Sequence, residues 1–166
     1  MTKQVLAVFK EQLTADSAVT RLVASGVAQS DVSVLMGEGY KGKHFGVEGG
    51  NKAAEGVATG GVAGGVLGAI VAGIATTGAI AATGGAGLLA AGPIVAALTG
   101  AGAGAAAGGV LGGLVGLGIP EHKAKIYKDI IDNDGGFLIG VETSKDNVGN
   151  VKDILKSAGG ESLSVE

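Results

Sequence analysis

Apolar and polar positions follow the same order of periods at both ends of the chain. Residues 4–9 form a short β-prone run. From Thr14 or Asp16 onward, the apolar positions Val19, Leu22 and Val23 fall at i, i+3 and i+4. This predicts a helix capped at its start by one of those two residues and ended by Gly26 in the left-handed conformation. Residues 31–36 then alternate, with Val32, Val34 and Met36 on one face. At the other end, residues 137–141 read as a strand. Asp146 or Asn147 caps a helix with Val151, Ile154 and Leu155 on one face, Gly159 and Gly160 end it, and Leu163 and Val165 alternate to the terminus. An ungapped shift of 132 residues places Val19, Leu22 and Val23 on Val151, Ile154 and Leu155. Two βαβ units predict an α+β, ferredoxin-like βαβ + βαβ sandwich: a four-stranded antiparallel sheet with helices on one face. Neither unit holds enough core alone. Residues 1–36 and 137–166 are therefore expected to fold against each other, bringing together the ends of everything between them.

Three pieces separate the two halves. Residues 37–55 are a connector bearing glycine and lysine. Residues 56–119 form a run with its own pattern, treated next. In the third piece, 120–136, Pro120 and Glu121 suit a first helical turn, and Ala124, Tyr127, Ile130 and Ile131 follow at helical spacing before Gly135 and Gly136.

The middle run is set apart by what it lacks. Of 34 glycines, 21 lie between Gly56 and Pro120, and those 65 residues contain no Asp, Glu, Lys, Arg or His. Alanine, valine, isoleucine and leucine fill the spaces between the glycines, so the run belongs inside lipid or inside protein and is not a solvated linker. Gly56, Gly60, Gly64 and Gly68 recur every four residues, as do Gly100, Gly104, Gly108, Gly112 and Gly116. That period puts each set along one helical stripe, where two helix axes can approach closely. In water each helical glycine costs about 1 kcal/mol relative to alanine. In lipid, unravelling exposes unpaired backbone at several kcal/mol per group. One bilayer pass takes about 20 residues, so the length predicts a transmembrane glycine-zipper hairpin with spans 57–82 and 94–118 and a turn at 83–87. Lys41, Lys43 and Lys52 precede the hairpin, and Lys123, Lys125 and Lys128 follow it, which puts both flanks, and so both termini, on the cytoplasmic side. The alternative is a soluble homo-oligomer in the cytoplasm with the apolar hairpins buried between subunits.

Composition removes other classes. The formal net charge is -3, there is one arginine, Arg21, and there are three Phe, two Tyr and no Trp. A nucleic-acid surface would combine clustered arginine with stacking aromatics. Cysteine is absent, which excludes disulfides and thiolate chemistry.

Several stretches resemble a family of bacterial general-stress and low-temperature-induced proteins that carry a heat-induced stress protein domain. They are HFGVEGGNKAAEG at 44–56, AAGPIVAALTGAGAGAAAGG at 90–109 and GLVGLGIPEHKAKIYKDII at 113–131, with the Gly135–Gly136 pair before an apolar strand. The resemblance covers about residues 40–142. It implies a stress-response protein of the bacterial inner membrane and supplies no catalytic residues.

Candidate chemistry is sparse. His44 and His122 flank the hairpin, 78 residues apart, with no carboxylate pattern to complete a metal site; they read as interfacial polar residues. The stretch from Gly37 to Lys43 lacks the spacing of a phosphate loop and reads as a connector. Tyr40, Phe45 and Tyr127 are placed as anchors at the headgroup boundary, alongside Lys41, Lys43, His44, Lys123 and Lys125; for Tyr127, packing on the sandwich is the equal alternative. No nucleophile–base pair stands out. The expected protein is non-enzymatic, without metal or cofactor. Its partners are the lipid bilayer and further copies of itself, and its zipper hairpin drives self-association. A pore and a small-ligand sensor are weaker alternatives. A pore would have only threonines to line it, and the sensor rests on fold analogy.

Overall fold

The computed structural model describes residues 2–37, 88–94, 111–133 and 135–166. The protein is mixed α/β, built on one antiparallel sheet. Its strands are β1 (Thr2–Phe9), β2 (Val32–Gly37), β3 (Leu88–Ala91), β4 (Phe137–Ser144) and β5 (Glu161–Val165), in the spatial order β3-β2-β4-β1-β5. Three helices accompany them: α1 (Gln12–Ala24), α2 (Glu121–Asp132) and α3 (Val148–Ser157).

The two end regions share this sheet. Strand β4 lies between β1 and β2, with Phe9 opposite Phe137 and Met36 also opposite Phe137. Met36 and Phe137 bound the long middle segment, so the chain leaves the sheet and returns to it at adjacent strands. Helix α1 begins two residues before Thr14, after Glu11. Thr14 therefore sits inside the first turn, its hydroxyl donating to the Glu11 carbonyl at 2.8 Å. Gly26, at φ +97°, ends the helix, and Val27 N–H reaches back to the Leu22 carbonyl. Asn147 occupies the cap position of α3, and its side chain makes no cap hydrogen bond there.

Both faces of the sheet are buried. On the first, Val5, Ala7, Phe9, Val32, Val34, Met36, Phe137, Ile139 and Val141 pack against Ala15, Ala18, Val19 and Leu22 of α1 and Val151 and Leu155 of α3. On the second, Leu6, Val8, Leu35 and Leu138 pack against Ala124, Tyr127, Ile130 and Ile131 of α2, together with Ile94, Leu114 and Ile119. The two helices of the βαβ units thus lie on one face, as expected, and the other face is covered as well. The runs VLAVF and FLIGV are apolar without alternation because each strand buries both of its sides.

The four expected strands are present as β1, β2, β4 and β5, and the sheet has one more. Residues 88–91, placed by the sequence reading between two membrane spans, form a fifth strand, in which Leu89 pairs with Met36 and Ala91 with Val34. Of the second expected span, 94–118, only the ends are described: Ile94 and Leu114 are buried against the sheet, and Leu111 and Leu117 are packed against the same core. Among the described residues no helix is long and apolar enough to cross a membrane. The first span, 57–82, and the turn at 83–87 lie outside the described residues.

Candidate functional site

The second face has a hollow at its centre. Gly140 of β4 pairs with Leu6 on one side and Ser33 on the other. A Cβ at Gly140 would lie 2.1 Å from Cδ1 of Ile94, so the missing side chain is the space that Ile94 fills. The Ile94 N–H donates to Ser33 Oγ at 3.0 Å, and both residues are buried. Residues 93–94 begin a helical turn. Pro93 suits its first position because no N–H is needed there, and Ser33 supplies from β2 the acceptor that a local cap residue would otherwise provide. Gly92 has φ +102°, and a Cβ on it would meet Ser33 Oγ and the Val32 carbonyl at 2.5 Å each. Only glycine fits both the backbone conformation and the close approach. The tripeptide Gly92–Pro93–Ile94 is therefore seated on β2 and β4 by shape, by a hydrogen bond and by burial together.

Residues 111–116 are helical and bring the far end of the run back to the same face. Gly118, at φ +94°, turns the chain, and Ile119 N–H donates to the Leu114 carbonyl at 3.2 Å. Both Leu114 and Ile119 are buried at this point. Pro120 then precedes α2 and accepts from the N–H groups of Lys123 and Ala124.

A polar seam fastens α2 to the edge strand β5. The β1–β5 register shifts between Leu6 and Val8, and Ser162, within the irregularity, has φ +53°. The Tyr127 hydroxyl donates to the Ser162 carbonyl, and Lys123 Nζ donates to the Leu163 carbonyl at 2.9 Å. Two carbonyls of an edge strand are so engaged from within the molecule, which blunts that edge against pairing with another chain. Burial pushes the Tyr127 hydroxyl up to about 12. Contact with the Ser164 hydroxyl works against this shift, and the Glu166 charge adds to it.

The residues singled out from sequence divide sharply. Tyr127, placed as a membrane anchor or as a packing residue, is a packing residue: it is fully buried, because its ring completes the second core while its hydroxyl finds a backbone acceptor. Lys123 is half-buried and bonded to β5. Lys125 is exposed and paired with Glu121 at 2.8 Å, which raises the lysine and lowers the carboxyl. His122 is exposed. Of the glycine stripes, only Gly112 and Gly116 are described. Gly116 is exposed, and among the described residues a Cβ there would meet nothing within 4 Å. Gly56, Gly60, Gly64, Gly68, Gly100, Gly104 and Gly108, with Tyr40, Lys41, Lys43, His44 and Phe45, lie outside the described residues. Sequence reasoning missed Ser33, Gly92, Ile94 and Gly140. The signal available for them was a Gly-Pro pair inside an otherwise proline-free apolar run, and a glycine in the middle of an apolar strand.

Among the described residues no group of three His, Cys, Asp or Glu side chains is arranged to hold a metal ion. Fold and site together define an α/β domain on an antiparallel sheet, with one face covered by its crossover helices α1 and α3 and the other by α2 and the ends of a long charge-free segment. Comparison of the chain with protein-family models, with curated proteins and with solved structures gives no match.

Proposed function

We propose that this is a non-enzymatic, membrane-associated structural protein in which an α/β domain presents a charge-free, glycine-rich segment that associates with the bilayer and with other copies. The resemblance to bacterial stress-response proteins gives the reading its physiological setting. In it, β1-α1-β2 and β4-α3-β5 are the two halves of a ferredoxin-like sandwich on the cytoplasmic side, and β3 is an addition contributed by the inserted segment. The observation that carries the reading is the 65-residue run without one ionisable side chain, flanked on both sides by lysines. Two features of the domain support a structural role. The buried polar side chains, Ser33 and Ser164, are both engaged, one by Ile94 N–H and the other by Glu166. The α2–β5 seam engages two carbonyls of a sheet edge.

Burial decides how the run engages lipid. Sixteen residues, 95–110, separate Ile94 from Leu111. Wholly helical, as an apolar segment in lipid must be, they would reach about 24 Å, against a hydrocarbon core of about 30 Å. While both ends rest on the sheet, that stretch is too short to cross a bilayer and return. Residues 56–87 lie outside the described residues, and in this reading they are the part of the run that enters lipid. The docking of Ile94 and Leu114 also favours a second reading, a soluble assembly with the run shared between subunits.

Carbonate extraction of membranes from cells expressing the full chain, followed by flotation, tests the proposal. Retention in the membrane fraction is expected. Complete release as a large detergent-independent particle would replace it with the soluble assembly.

A further inference from the structure

We infer that the exposed stripe His122–Ile126–Asp129 of α2 is an interface between two copies of this chain, closed about a two-fold axis beside Ile126. The inference rests on the self-association reading above and gives it a place on the folded domain.

Helix α2 buries Ala124, Tyr127, Ile130 and Ile131 on the second face of the sheet. Its outward surface sorts by partner. Glu121 pairs with Lys125 and Lys128 with Asp132, and Lys123 is held by the Leu163 carbonyl. Among the described residues, that leaves His122 and Asp129 as the two ionisable side chains of α2 outside any ion pair. The charge of Asp129 reaches Lys128 only through space. Both side chains are exposed, four residues before Ile126 and three after it. At about 100° per residue the three fall on one stripe, and the two ion pairs run along the shoulder beside it. Ile126 is 42 % exposed, whereas every other apolar residue of α2 is buried.

The order imidazole, isoleucine, carboxylate is complementary to itself when reversed. Two α2 helices laid antiparallel bring His122 of each copy to Asp129 of the other and Ile126 to Ile126, the isologous contact of a two-fold dimer. The imidazole donates to a carboxylate whether neutral or charged. A parallel pair would set carboxylate against carboxylate, and an anionic lipid surface would repel Asp129. One helix stripe is smaller than the roughly 800 Å² per partner of a stable complex. The contact therefore acts where copies are already concentrated, as on a shared membrane.

The chain has no cysteine, so one engineered thiol reports the contact. Full-length Ile126→Cys and a control, full-length Lys152→Cys, exposed on α3, are reconstituted in phosphatidylethanolamine–phosphatidylglycerol vesicles and oxidised. Disulfide-linked dimer forming at least tenfold faster at 126 than at 152 is expected. In the Ile126→Cys protein, His122→Asp sets carboxylate against carboxylate and is expected to slow crosslinking several-fold. Adding Asp129→His reverses both ends of the stripe and is expected to restore the rate. Both changes suit their ends of the helix dipole, so the fold is retained. Equal rates at 126 and 152, or a double swap as slow as the single one, would overturn the interface and leave membrane association standing. If the protein does not float with the vesicles, the membrane reading falls, and the same rates compared in buffer decide the interface.

Discussion

The two faces of the sheet are both dry, but they are covered by different means. The first face is closed by α1 and α3, each following the strand before it and preceding the next strand in the chain, and it buries the large rings of Phe9 and Phe137. The second is closed by α2 and by the two returning ends of a segment without charge, and its one aromatic ring among the described residues comes from the cover, not from the sheet. A cover encoded within the βαβ unit forms whenever the unit forms. The first face is thus the part of the molecule that makes it a folded domain, and the second is where the domain meets its insertion.

The largest effect that this contrast predicts is on the first face. Phe137→Ala should cost about 3–5 kcal/mol and abolish cooperative unfolding of the whole domain, as measured by denaturant titration. The ring is fully buried, and its strand joins the two ends of the chain. Leu114→Ala, also fully buried but on the second face, should cost about 2–3 kcal/mol, with the loss appearing mainly as faster hydrogen exchange in residues 88–94 and 111–119. Equal exchange changes across both faces would mean that the layers are one cooperative unit and that the distinction drawn here is empty.

A smaller effect isolates the α2–β5 seam. The Tyr127 hydroxyl is pushed from 10.0 to about 12 in the folded protein, chiefly by burial. A folded value above the unfolded one means that the phenol of the unfolded chain ionises first as pH rises. Its contribution to stability is therefore complete below pH 10 and is lost progressively between pH 10 and about 12. Tyr127→Phe should remove that alkaline loss and, at neutral pH, cost about 1 kcal/mol for the hydrogen bond to the Ser162 carbonyl. Thermal melts of both proteins from pH 8 to 12 compare the slopes. Parallel slopes would show that Tyr127 is not the group responsible.

The smallest effect on stability is expected at Gly116. It is exposed, with open space around its Cβ position, so Gly116→Leu should leave the isolated domain as stable as before or slightly more stable. The same substitution should weaken association between copies if the stripe of Gly112 and Gly116 packs against a neighbour. Mass photometry in mild detergent reads the association, and an unchanged oligomer distribution would remove Gly116 from the packing stripe.

Much of the first face was legible in the sequence. Of the six residues named from helical spacing, Val19, Leu22, Val151 and Leu155 are buried and Val23 and Ile154 partly so, and Gly26 and Gly159 end their helices at positive φ. The four α2 residues at helical spacing are the four that it buries. The second face was less legible because its partners are distant in sequence. Leu6, Val8 and Leu138 break the alternation expected of a half-exposed strand, which signals a second cover without naming it. Residues 88–91 carry no β-branched or aromatic side chain, so nothing local marks them as a strand; pairing with β2 makes them one. Ile94 and Leu114 have the composition of a membrane span, and hydropathy alone does not separate burial in lipid from burial on a sheet.

The placement of Ile94 is the point on which this account turns, and it is open to direct observation. Methyl-labelled protein should show a strong nuclear Overhauser contact between the Ile94 δ1 methyl and the Gly140 α protons, since that methyl carbon occupies the space of a Gly140 side chain. A spectrum in which the β1–β4 contacts are native while Ile94 shows no contact to Gly140, Ser33 or Leu35 would contradict it.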